Sequence, residues 1–151
     1  MKTLVFIFMS LCLICCKNDM KVGPINVDTL ASIILKNQAG ENLLDPNVKN
    51  HYVHSEVYSF VVGANNNEIV FENNKVLSLP EMPYFIRMVD FDIKDSKLNQ
   101  STIYLRLSPT EVDTIKVEYK FDSGDLYTTK LWYNGELKWT KENDKPIEII
   151  K

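Results

Sequence analysis

From Thr114 to Phe121 the chain reads Thr-Ile-Lys-Val-Glu-Tyr-Lys-Phe, with every odd position apolar and every even one polar. A two-residue period sends successive side chains to opposite faces, so this segment is a strand with one dry and one wet face. Ser101 to Leu107 repeats the pattern, setting Ile103, Leu105 and Leu107 against Thr102, Tyr104 and Arg106. No segment of the domain offers a comparable helical stripe. The chain is committed to sheet.

The sharpest local signal is Asn134-Gly135, between Leu126–Tyr133 and Glu136–Thr140. Both residues accept the positive φ of a type I′ turn, whose twist suits a two-residue hairpin. An uninterrupted ladder then pairs Tyr133 with Glu136, Trp132 with Leu137, and Lys130 with Trp139. Trp132, Leu137 and Trp139 share one face in that register and are expected to fill the core, while Tyr127 and Tyr133 occupy the other, exposed face. Strand patterns also cover Ala31–Leu35, Glu56–Val62, Glu68–Phe71, Tyr84–Ile93 and Ile147–Ile150. Turns lie at Gly40, Asp45-Pro46, Asn65 to Asn67, Pro80, Pro83, Pro109 and Gly124.

Eight or so short strands at this spacing predict an all-β fold, an antiparallel β-sandwich of immunoglobulin-like type, with a small open β-barrel as the alternative. The expected core holds Ile103, Leu105, Ile115, Val117, Tyr119, Phe121 and Leu131. A composition of 45% hydrophobic and 25% charged residues excludes a wholly disordered chain. The net charge of -3 gives no cationic excess for sequence-independent attachment to nucleic acid.

The first residues read as an address. Met1-Lys2 precedes an apolar run from Leu4 to Ile14, broken only by Ser10 and Cys12, and Lys17-Asn18-Asp19 follows. This is the basic-then-apolar layout of a secretory signal, too short for the ~20 residues of a spanning helix. Its end, Leu13-Ile14-Cys15-Cys16, resembles the bacterial lipoprotein lipobox. The resemblance implies cleavage after Cys15 and a diacylglyceryl group on the Cys16 thiol. Lipidation at Cys15 is the alternative, and it would place bulky Ile14 before the cleavage point. Residues 1–15 are then the signal peptide, 16–27 a lipidated, flexible tether, and 28–151 the sandwich domain. No cysteine lies beyond Cys16, so the exported domain has neither a disulfide nor a cysteine nucleophile.

Lys17 stands where an aspartate would hold an enterobacterial lipoprotein at the inner membrane. The expected destination is therefore the outer membrane, with the facing leaflet open. Asn42-Leu43-Leu44-Asp45-Pro46, together with the Trp132-Tyr133-Asn134-Gly135-Glu136-Leu137 hairpin, is similar to a group of small Bacteroidota lipoproteins. The resemblance implies the compartment and the fold, and no activity. Asp28-Thr29-Leu30 and Asp113-Thr114-Ile115 also match the short O-glycosylation pattern of those bacteria. Thr29, beside the tether, is the candidate acceptor, because Thr114 lies inside a strand.

Motifs for chemistry are sparse. His51 and His54 lack a third ligand at metal spacing, and on a strand they would point to opposite faces. Asp90-Phe91-Asp92 has calcium-like oxygens, but Lys94 and Asp95 replace the ligand and glycine that a calcium loop needs next. No Gly-x-Ser-x-Gly elbow or glycine-rich phosphate loop is present. No catalytic residue, metal ligand or cofactor is therefore assigned. The favoured reading is a non-enzymatic binding or accessory domain for an envelope protein or glycan, with Tyr127 and Tyr133 as candidate contacts. The alternative is a small envelope hydrolase whose site no local motif reveals.

Overall fold

A computed structural model describes residues 26–28, 31–80, 82–88, 99–122, 125–143 and 145–151. The signal segment, Cys16, Thr29, and Asp90 and Asp92 lie outside the described residues. The strands are β1 (Asn26–Asp28), β2 (Ala31–Lys36), β3 (Tyr58–Val62), β4 (Glu68–Phe71), β5 (Lys75–Leu77) and β6 (Phe85–Met88). They continue with β7 (Gln100–Ser108), β8 (Glu111–Asp122), β9 (Asp125–Tyr133), β10 (Glu136–Thr140) and β11 (Ile147–Ile150). A single turn of 3-10 helix, His54–Glu56, precedes β3.

The fold is a β-sandwich and not a closed barrel. Its larger sheet runs β1-β9-β8-β7-β3-β4, with β10 also on β9, and its smaller sheet runs β11-β2-β6-β5. Pairing is antiparallel except for β1 with β9 and β11 with β2, which run parallel. β1 takes in Asn26 and Val27, so the last residues expected in the tether belong to the sheet.

The core lies between the sheets. From the smaller come Ile33, Leu35, Ile86, Met88, Ile147 and Ile149, and from the larger Val61, Ile103, Leu105, Leu107, Ile115, Val117 and Leu131. The alternation read from β7 and β8 holds, since Ile103, Leu105 and Ile115 are fully buried. Phe121 is a correction. It continues the inward phase of β8 yet is 59% exposed, because the twelve-residue β8 overhangs partner strands of three to six residues in the other sheet. One end of the sandwich is closed by the loop after β2, where Leu43 and Leu44 enter the core. Asn42 shapes that loop, its Oδ1 accepting from Leu44 N and its Nδ2 donating to Tyr84 O at 2.8 Å.

Candidate functional site

Asn134 and Gly135 adopt φ of 48° and 84°, the two positive values a type I′ turn requires. Glu136 pairs with Tyr133 and Leu137 with Trp132, as the sequence implies. The register then slips. Lys138 is an extra residue, so Trp139 lies opposite Leu131 and Thr140 opposite Lys130. A bulge changes the phase of everything beyond it. Trp139 therefore turns inward with Leu131 and packs against the core, while Trp132 and Leu137 stay on the outer face. The expected common face of the three side chains does not form.

A second bulge corrects the tyrosines. Glu118 pairs with Lys130 but Tyr119 pairs with Thr128, which leaves Thr129 extra on β9. Leu126 and Thr128 thus face inward before the bulge, and Leu131 and Tyr133 after it. Tyr133 is buried, and Tyr127 joins Trp132 on the outer face, so the two candidate contacts are separated.

The outer face carries aromatic rings already covered by cations. Lys116 and Lys130 lie 5.4 and 6.0 Å from the Trp132 ring centre, and Lys141 lies 3.4 Å from that of Tyr127. Such capping uses the negative ring faces that a stacking ligand would need. Further along the same face, Phe60 and Tyr104 stack at 5.4 Å, and Arg106 covers Phe60 while pairing with Glu68.

Inside the sandwich, Asp113 is in phase with Ile115 and Val117 and is 6% exposed. Its carboxylate accepts from Tyr133 Oη at 2.5 Å, from Asn134 Nδ2 at 2.7 Å, and from Lys151 Nζ. Lys151 also reaches Glu111 at 2.7 Å, and Tyr52 Oη donates to Glu111 at 3.0 Å. Burial alone would push the Asp113 carboxyl up, but the donors from Asn134, Lys151 and Tyr133 outweigh it and hold the group below its ordinary value. Burial, then the hydrogen bond to Asp113, raises the Tyr133 phenol, and burial with the Glu111 contact raises that of Tyr52. Asp113 is thus an ionised carboxylate filled by donors, and its chemistry is structural. Phase was the available signal for it, since a carboxylate in step with Ile115 and Val117 must point into the core.

Trp139 lines a concave site. Two clefts of about 290 and 450 Å³ share Trp139, Lys145, Pro146 and Ile147 as walls, at the edge where β10 meets β2 and β11. Ala31, Ser32 and Met82 complete one, and Lys138, Asn143 and Glu148 the other. Lys138 is neutralised by Glu136 at 2.7 Å, and Glu148 by Lys36 at 2.6 Å. Among the described residues no carboxylate lies within ion-pair distance of the exposed Lys145. Among its described residues the cleft therefore presents an indole wall and one ammonium without an ion-pair partner.

His51 and His54 serve the loop before β3. His51 Nδ1 lies 3.0 Å from Val48 O, and His54 Nε2 lies 2.6 Å from Leu44 O, its ring against Tyr84. Among the described residues no three His, Cys, Asp or Glu side chains gather as a metal site would require. No protein-family profile matches the chain, and no curated protein or solved structure is significantly similar to it.

Proposed function

We propose that this chain is a lipid-anchored lipoprotein of the bacterial cell envelope, held at the outer membrane through Cys16, whose sandwich domain binds a ligand without transforming it. The observation that carries the binding half is the Trp139 cleft. Ligand sites are concave, chiefly apolar, and equipped with a few placed polar groups. The bulge at Lys138 turns an indole into this edge, giving a concave site of mixed apolar and polar lining.

The acidic groups support the same reading. A hydrolytic acid needs a carboxyl raised towards neutrality, within reach of a substrate. Asp113 is instead held ionised and enclosed, and Glu111 is occupied by Lys151 and Tyr52. The anchoring half rests on Leu13-Ile14-Cys15-Cys16 at the end of an apolar run.

Two measurements test the reading. Cells fed a labelled fatty acid should label the wild-type protein and not Cys16→Ala, and label persisting in that variant rejects the anchor. In a Trp132→Phe background Trp139 is the sole indole, so its emission should respond to oligosaccharides released from the bacterial envelope. An unchanged spectrum at millimolar ligand rejects binding at this cleft.

A further inference from the structure

We infer that the Trp139 cleft takes an acidic sugar, a pyranose bearing a carboxylate, with its ring against Trp139 and its charge on Lys145. The inference rests on the binding reading above and adds the ligand's chemistry to it. The two adjacent spaces, about 290 and 450 Å³, suit a small ligand of roughly one or two rings. An indole wall favours a partner with a flat apolar face edged by polarised C–H groups, as a pyranose has, because the negative ring face attracts them. Unlike Trp132 and Tyr127, Trp139 has no ammonium over its ring among the described residues.

The charge argument selects the acid. Lys138 and Glu148 are each neutralised by their own partners, and their charges cancel across the cleft as well. Among the described residues lining this wall, Lys145 remains as the excess charge, on a domain that is acidic as a whole. An ammonium is a point charge with three donors, matched by a single carboxylate, and Asn143 stands beside it to serve ring hydroxyls. Pro146, next in the wall, has no N–H with which to hold an extended peptide. A sugar acid satisfies these groups better than a polypeptide does.

The full-length protein in detergent, carrying Trp132→Phe, would be titrated with uronate- and sialate-containing oligosaccharides, each beside its methyl ester. Esterification removes the charge and keeps the ring. At least one acid should bind about tenfold more tightly than its ester, the scale of one charge-assisted contact. Lys145→Gln should bring that ratio to about one without weakening the ester, and Trp139→Ala should abolish both. Because Trp139 also packs on the core, Lys145→Gln, at an exposed position, carries the decision. An ester that binds wild type as well as its acid overturns the inference while leaving a binding cleft. Polyglutamate competing as strongly as the sugar acid overturns it in favour of an acidic peptide. No response to any sugar overturns both readings.

Discussion

Lys151, immediately after β11, donates through Nζ to Asp113 Oδ2 near the start of β8, so an ion pair crosses from one sheet of the sandwich to the other. The Lys151 and Asp113 side chains are 17% and 8% exposed, and both have further partners in Glu111, Tyr133 and Asn134. A buried pair of this kind adds little over an apolar replacement of both members, yet losing one member strands the other.

Asp113→Ala should therefore destabilise the domain by about 3 kcal/mol, because it leaves an ammonium, a phenol and an amide short of their acceptor. Combining it with Lys151→Met should cost less than the sum of the two. Urea denaturation of the four proteins measures the coupling, and strict additivity would show that the pair does not interact.

The same cluster sets the pH limits. Asp113 has its folded pKa below the unfolded one, so its contribution is complete above about pH 4 and is lost as pH falls through the folded value. Tyr133 and Tyr52 are shifted upwards, so theirs is complete below about pH 10 and declines at higher pH, where only the unfolded phenols ionise freely. Thermal melts from pH 2 to 12 should show both limbs, with Tyr133→Phe weakening the alkaline one. An alkaline limb unchanged in that variant would assign it to other groups.

Gly135 sits at φ 84° with nothing within 4 Å of where a Cβ would project. Substitution there is a pure backbone penalty. Gly135→Val should cost roughly 1–2 kcal/mol, and Gly135→Asn about half as much, since Asn tolerates this region. Equal melting temperatures for the two variants would mean that the turn had changed type.

Leu105 is fully buried and Phe121 is 59% exposed. Leu105→Ala should lose about 3 kcal/mol, while Phe121→Ala should lose less than about 0.5 kcal/mol. Chemical denaturation separates them easily, and a large loss at Phe121 would place that ring under cover.

Most of this architecture was legible because alternation is a direct imprint of a half-buried strand. β4 and β11 fall on the expected residues, and β7 and β8 extend them by a residue or more at each end. The three-residue β1 and β5 were not legible, being too short to display a period. The candidate site was hidden for another reason. It depends on extra residues at Lys138 and Thr129, and a bulge is selected by packing across the sheet, which leaves no mark on the pattern within one strand. Tyr133 went inward where an exposed contact was expected, and Trp132 and Leu137, expected to be buried with Trp139, stayed on the outer face. Asp113 and Lys151 were readable in principle, since each continues the inward phase of its strand.

The parallel pairing of β2 with β11 joins Ile33 to Ile147 and Lys36 to Ile150, segments more than a hundred residues apart. β2 can pair with β6 early, but its other edge lacks β11 until synthesis has passed Ile150, and closing so long a loop delays completion of the smaller sheet further. A ribosome-bound chain ending at Thr140 should be digested by protease throughout, whereas one extended past Lys151 by a linker should resist. Protection of the shorter chain would show that the larger sheet stands alone. If the chain is exported as proposed, such late closure would be an advantage, because the order of synthesis itself would keep it unfolded while it threads a translocon.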